Sequence, residues 1–157
     1  MIVFIILNSL LGLVNEVAES LELQAQEKHI SIQVHALGDG KMVMGDRDRL
    51  AQVLTNLGFN SIRYGVEGGT TRFRLSNTGE RMMIEVADNG IGIPTEHQNR
   101  VFERFFRVDK HRNRATGGSG LGLSICKHIV EAHGETINLI STEGAGSVFT
   151  FSLKTAD

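Results

Sequence analysis

The feature that most constrains this chain is the order of three segments. They are Asn56-Leu-Gly-Phe-Asn60, Asp88-Asn-Gly-Ile-Gly-Ile-Pro94 and Gly117-Gly-Ser-Gly-Leu-Gly-Leu-Ser-Ile125. The first puts two amide side chains one helical turn apart. The second is a carboxylate followed by a glycine loop. The third is a glycine loop that runs straight into a helical pattern. A fold that uses all three must bring a helix face, a strand end and a helix N-terminus to one place. Together they offer a hard metal ligand, a hydrogen-bond acceptor for a base and a phosphate cradle, the set that holding ATP with Mg²⁺ requires.

Periodicity sets the frame around them. Leu10, Val14, Val17 and Leu21 recur at helical spacing and predict an amphipathic helix over 9–28. Ile30, Ile32, Val34 and Ala36 alternate with polar residues, which is strand spacing. A turn over 37–40 and a short strand over 41–44 follow. Asp46 stands where an N-cap belongs, ahead of a second helix expected to reach about Tyr64. Strands are predicted over 70–76 and 81–87, joined around Asn77-Thr-Gly79, with the second feeding into Asp88. A short helix is expected over 101–107, then a polar, mobile loop over 108–119. A third long helix is expected from Leu121 to His133, ended by Gly134, before closing strands over 136–141 and 147–153. This order predicts an α+β, two-layer α/β sandwich, with a mixed, mostly antiparallel sheet and helices grouped on one face.

Composition excludes several classes. The 157 residues fit one domain, and 41% hydrophobic content supports a real core rather than disorder. A net charge of -2 gives no global field for nucleic acid, so no nucleic-acid partner is expected. Cys126 is the only cysteine, which rules out an internal disulfide and a thiolate cage and suits a reducing cytoplasm. The apolar start, Met1-Ile-Val-Phe-Ile-Ile-Leu7, falls far short of the ~20 residues that span a bilayer and reads as a first strand.

Each motif has a plainer reading when taken alone. Asn56 and Asn60 share a helix face with Arg63 and Tyr64 near it; amide oxygens suit Mg²⁺ and Arg suits phosphate, but solvated or capping amides fit equally well. Asp88 closes an apolar strand, where a carboxylate can accept from an exocyclic amine and Gly90 and Gly92 admit a flat ring; an ordinary Asp-Asn-Gly turn is the alternative. Gly117 to Gly122 lacks the Gly-Lys-Ser/Thr of a Walker A loop and starts no βαβ unit, yet it opens a helix and can bind an anion. The other reading is a flexible hinge. Arg107 follows two phenylalanines that anchor its backbone, leaving its guanidinium to reach a γ-phosphate or to form a surface ion pair.

In combination the segments resemble the ATP-binding catalytic domain of sensor histidine kinases, within the gyrase/Hsp90/histidine kinase/MutL superfamily. The N box is similar to 56–64, the G1 box to 88–94, the F box to 102–107 and the G2 box to 118–122. Glu143-Gly-Ala-Gly146 before Phe149 matches a last hairpin. The wording around Arg107 to Lys110 and Gly117 to Leu123 resembles the PhoR-like subgroup. The resemblance implies the Bergerat ATP-binding fold as a single domain over 1–157, with Mg²⁺ and ATP as cofactors. It implies Asn60 as metal ligand, Asp88 as reader of adenine, and Tyr64 packed near the base. It further implies nucleotide contacts from Gly90, Gly92, Ile93, Gly118, Gly120, Leu121 and Gly122, with 108–119 as the lid. Arg63 and Arg107 fall where phosphate is met.

Asn56 separates subfamilies. Hydrolysing members carry a Glu four residues before the metal Asn, and an amide cannot take a proton from water. Phosphoryl transfer to a histidine is therefore expected, not hydrolysis. None of the six histidines is followed by an acidic residue as a phosphoacceptor motif requires. The chain thus reads as an excised domain whose phosphoacceptor, dimerisation and sensor parts lie elsewhere. Its expected partners are the phosphoacceptor histidine domain of the parent kinase and, indirectly, a response regulator. It is expected to sit in the cytoplasm, without membrane contact of its own, in a parent that can be membrane-anchored. The rival readings are an anti-sigma-factor-type serine kinase, a non-catalytic nucleotide-binding module and a plain ATPase. Three departures from the family pattern stand out: Gly58 for an apolar residue, Ser61 for alanine and Glu135 for glycine.

Overall fold

The computed structural model describes residues 8–37, 42–107 and 122–156. The expected first strand over 1–7, most of the turn over 37–40 and all of the loop over 108–119 lie outside them. The chain opens with β1 (Asn8–Ser9), α1 (Leu10–Ser20), α2 (Glu22–Glu27), β2 (Ser31–Leu37), β3 (Met42–Val43) and α3 (Arg47–Arg63). It continues with β4 (Thr70–Asn77), β5 (Arg81–Asp88), α4 (Thr95–Gln98), α5 (Gly122–Ala132), β6 (Asn138–Thr142) and β7 (Gly146–Lys154). Among the described residues no helix is long and apolar enough to cross a membrane.

The main sheet has the order β2-β4-β5-β7-β6. Only the β2–β4 pair is parallel; the other three are antiparallel. A second, two-stranded sheet pairs β1 with β3. Strict alternation explains the layering. Phe73, Leu75, Met82, Ile84, Val86, Phe149, Phe151 and Leu153 all point to one face and are buried, while Arg72 and Arg74 between them are exposed. The buried face is covered by α1, α3 and α5, whose apolar stripes include Leu13, Val14, Leu50, Leu54, Leu57 and Val130. The α+β, two-layer architecture is the one expected.

Two expectations need correction. The helix predicted over 9–28 is broken at Leu21, whose φ of -97° and ψ of -3° end α1 before α2 begins. Leu21 is buried, and its side chain enters the space left by Gly58 on α3. A Cβ at Gly58 would stand 2.5 Å from Leu21 Cδ1 and 2.9 Å from Phe73 Cζ. The space an apolar side chain at position 58 would take is filled by a neighbour's side chain. The second correction concerns 101–107, which forms successive turns, not a helix. Glu103 N–H donates to Arg100 O, Phe106 N–H donates to Glu103 O, and Phe105 takes a positive φ of 66°. The helical turn lies earlier, at α4. Apolar residues in 101–107 pack one at a time: Phe102 sits edge-on to Phe149 at 6.0 Å, and Phe106 lies 5.5 Å from His97.

Caps fix the site helix at both ends. The Asp46 carboxylate accepts from Asp48 and Arg49 N–H, so α3 begins where expected. His133 Nδ1–H donates to Ile129 O, which leaves Nε2 to accept from Asp46 N–H at 3.1 Å. The start of α3 is thereby joined to the end of α5, where Gly134 takes a φ of 78° as the helix closes. At the other end of α3, Lys28 Nζ donates to the carbonyls of Ile62, Arg63 and Gly65 at 3.1, 2.6 and 3.4 Å. A cation at a helix C-terminus satisfies orphan carbonyls and complements the helix dipole.

Candidate nucleotide site

Three elements converge beside the N-terminus of α5: the polar face of α3, the end of β5 with its loop, and the β6–β7 turn. Asn56 and Asn60 lie on consecutive turns of α3 and are half-buried. Asn56 Nδ2 donates to Gly122 O at 3.4 Å, which ties the site helix to the first residue of α5. The buried Cys126 thiol stands next to it. Burial pushes that thiol up to about 12, against the pull of a hydrogen bond from Asn56, so it stays protonated and inert. The Asn60 side chain has no hydrogen-bond partner among the described residues, which leaves a hard amide oxygen available.

Arg63 follows one turn later. Its guanidinium lies over the rings of Phe59 and Tyr64, 5.0 and 5.7 Å from their centroids. Stacking holds the planar group but satisfies none of its donors in the plane. Its Nε is buried and unpartnered among the described residues. A buried orphan donor is costly, and an anion acceptor would relieve it.

Asp88 ends β5 in a half-buried position. Burial raises its carboxyl above the ordinary range, while hydrogen bonds from Gly90 N–H, Ser147 N–H and the Ser61 hydroxyl hold it down. The Gly90 N–H bond is 2.9 Å. Glycine is required in the loop that follows. A Cβ at Gly90 would lie 2.2 Å from Tyr64 O, and one at Gly92, where φ is 70°, 2.1 Å from Thr142 O. These contacts lock the loop between two backbones: Ile91 N–H donates to Tyr64 O, and Gly144 N–H donates to Ile91 O. Ile93 N–H donates to Ser141 Oγ at 2.8 Å, and Gln98 Nε2 spans Ile93 O and Ser141 O.

The structure therefore brings together Asn56, Asn60, Arg63, Tyr64, Asp88, Gly90, Gly92, Ile93 and Gly122. Gly118, Gly120 and Leu121 lie outside the described residues. Arg107 is half-buried at the end of its segment. Of the two phenylalanines expected to anchor it, Phe106 packs, whereas Phe105 is 64% exposed. Sequence reasoning missed Gly146, whose Cβ would meet Asp88 O at 2.1 Å, and the hydroxyls of Thr71, Ser141 and Ser147. One signal for Thr71 was present: it is a polar residue in the inward register of a strand whose other inward residues, Phe73 and Leu75, are apolar.

The comparisons agree with this geometry. The family described as histidine kinase-, DNA gyrase B-, and HSP90-like ATPase matches residues 45–157. The sensor-like histidine kinase SenX3 of Mycolicibacterium smegmatis is 43% identical over 142 residues, covering 90% of this chain and 37% of SenX3. The chain thus spans about a third of that relative's length. Among solved structures, the nucleotide-free catalytic domain of histidine kinase ThkA superposes with a TM-score of 0.84 at 28% identity, covering 96% of this chain and 95% of that one. The same kinase in complex with the response regulator TrrA gives 0.80 at 27% identity over 97% of this chain and 42% of that one. Full-length ShkA in complex with AMPPNP gives 0.85 at 30% identity over 99% of this chain and 32% of that one. A family match that begins two residues before α3 and runs through α5 to the end of the sheet covers every element of the site, and the chain belongs to the histidine kinase-, DNA gyrase B-, and HSP90-like ATPase family.

Proposed function

We propose that this chain binds ATP with Mg²⁺ and presents the γ-phosphate to a histidine on a separate phosphoacceptor domain of its parent kinase. The observation that carries the reading is the site face of α3. It sets Asn60, an amide unpartnered among the described residues, one turn from a buried guanidinium nitrogen on Arg63 that is likewise unpartnered among them. A triphosphate with its cation would occupy both. Asn60 supplies the oxygen donor that Mg²⁺ prefers, and the ion when bound offsets the charge of the phosphates. Asp88 accepts from the adenine amine, and Gly90 and Gly92 allow the ring to approach backbone. Tyr64 and Ile93 border that pocket. Gly118, Gly120, Leu121 and Gly122 are assigned to the phosphate-binding end of the lid, and Arg107 to the γ-phosphate.

The chain's own part in the reaction is positioning and charge placement. Asn56 is neutral and engaged with Gly122 O, so it abstracts no proton from water. This supports transfer over hydrolysis, and over the serine-kinase alternative, which would keep an acid there. The AMPPNP held by ShkA and the response regulator bound to ThkA support the nucleotide and, indirectly, a regulator as partner. A cytoplasmic location belongs to the same reading, because ATP is supplied there.

The test is to mix the protein with labelled ATP, Mg²⁺ and the phosphoacceptor domain of its parent. Acid-labile, base-stable phosphate on the acceptor is expected, with little phosphate release from the protein alone. Rapid release without an acceptor would restore the plain ATPase, and no nucleotide binding in calorimetry would leave a non-catalytic module.

A further inference from the structure

Lys28 lies outside every motif that the site uses. It closes α2, and it is half-buried. An ammonium carries three donors and no acceptor. Lys28 spends all three on one turn of chain: Nζ donates to Ile62 O at 3.1 Å, Arg63 O at 2.6 Å and Gly65 O at 3.4 Å. These are carbonyls at the end of α3, which the helix itself leaves without partners. The foot of this strut is fixed as well. Lys28 N–H donates to Ala25 O at 3.1 Å, and Lys28 O accepts from Gly68 N–H at 2.9 Å. Three residues on, Ser31 N–H donates to Gly69 O at 3.0 Å, where β2 joins β4.

The braced turn carries both halves of the site. Arg63 brings its guanidinium, stacked on Phe59 and Tyr64. Tyr64 follows, between two of the braced carbonyls, and its own O accepts from Ile91 N–H at 3.1 Å. That bond ties the loop after Asp88 to α3, and Gly90 closes on the same oxygen so tightly that a Cβ would stand 2.2 Å from it. A shift of this turn therefore moves the phosphate-side cation and the base-side loop together. The turn has no slack on its inner side, since a Cβ at Gly65 would lie 2.9 Å from Ser61 O and 2.8 Å from Ile30 Cδ1.

We propose that Lys28 is a positioning residue for nucleotide binding, a three-donor strut that keeps Arg63 and the loop after Asp88 at the spacing where one ligand meets both. The proposal rests on the ATP reading above and adds a residue that acts through the backbone of α3. Without the ammonium the three carbonyls turn to water and the last turn frays. Ile91 N–H then loses its fixed acceptor, and the nucleotide must order the turn as it binds, which weakens its affinity.

The experiment is titration calorimetry of AMPPNP with Mg²⁺ against the wild type, Lys28→Met, Lys28→Gln and Glu135→Gln, well below each melting temperature. Amide hydrogen exchange of the nucleotide-free proteins, followed by NMR, accompanies it. Methionine keeps the length of the side chain and removes its donors, while glutamine keeps one amide group. Kd should rise about tenfold in Lys28→Met, as for loss of a supporting contact behind a ligand group, and less in Lys28→Gln. Ile91 N–H should exchange faster relative to the amides of β5. Glu135→Gln loses its partner Arg81 at the opposite end of β5 from Asp88 and should keep the wild-type Kd. A purely structural lysine would lower the melting temperature and leave both Kd and the relative exchange of Ile91 unchanged. That result in folded Lys28→Met, or equal weakening in Glu135→Gln, overturns the proposal. If Lys28→Met does not fold, Lys28→Gln decides by the same criteria. Failure of the wild type to bind AMPPNP at all would instead overturn the ATP reading beneath it.

Discussion

Replacing Asp88 by Asn should move binding and stability in opposite directions. The amide oxygen can keep the Gly90 N–H bond, now 2.9 Å, so the loop should persist. The change removes the charge that would receive the adenine amine. A hydrogen bond to a charged group contributes roughly 1.5–3 kcal/mol, so Kd for AMPPNP should rise by about 10- to 150-fold. Stability follows the carboxyl's displacement. Burial raises its folded pKa above the unfolded value of about 3.9, against the hydrogen bonds that oppose it. The folded state therefore holds its proton to higher pH than the unfolded chain. The resulting penalty is absent below about pH 4 and grows as pH rises through the folded pKa. Asparagine carries no such penalty. The nucleotide-free variant should melt at or above the wild-type temperature at pH 7, and the difference should shrink towards pH 4. Calorimetry for affinity and scanning calorimetry across pH would measure both. An unchanged Kd removes Asp88 from base recognition. A difference between variant and wild type that stays the same from pH 7 to pH 4 refutes the assignment of a burial penalty to this carboxylate.

Gly58→Ala gains about 1 kcal/mol of helix propensity but forces a Cβ against Leu21 and Phe73, which costs about 1–3 kcal/mol. Net destabilisation of about 1 kcal/mol is expected in urea unfolding, and a gain would show that the Leu21 packing is loose. Lys28→Met removes the cation from three carbonyls at the end of α3 and should cost about 1–3 kcal/mol in the same assay, with no change indicating that water replaces it. Burial pushes the Glu135 carboxyl up, but hydrogen bonds from Arg81 and Ser152 and the Arg81 charge outweigh it and leave its pKa lowered. Its stabilising contribution is therefore present above the unfolded value of about 4.3 and lost as pH falls through the folded pKa. Glu135→Gln should lower the melting temperature at pH 7 and converge with the wild type at low pH; parallel pH profiles would count against the ion pair.

Local physics made much of the fold legible. The Asp46 cap, the Gly134 ending of α5 and the alternation in β4, β5 and β7 depend on neighbours in sequence, and each lies where periodicity and capping chemistry put it. The misplaced helix over 101–107 had the opposite cause. Val101, Phe102 and Phe106 are apolar but serve different neighbours, and Phe105 turns outward with a positive φ. The break at Leu21 was equally hidden: Leu21 packs beside Gly58, a glycine 37 positions later in the chain on another helix.

The sequence alone determined the chemical content of the site. Two amides, an arginine, a carboxylate and loops of glycine define what can be bound, because side-chain chemistry and short-range spacing are properties of the chain itself. Only the tertiary structure decided which of these groups are left unsatisfied and which are engaged. Asn56 is engaged by Gly122, while Arg63 Nε is buried without a partner among the described residues. Asp88 has its hydroxyl neighbours because β4, β5 and β7 align in one register beneath α3. Burial and hydrogen-bond satisfaction arise between elements distant in sequence, so they exist only once the sheet and helices have packed.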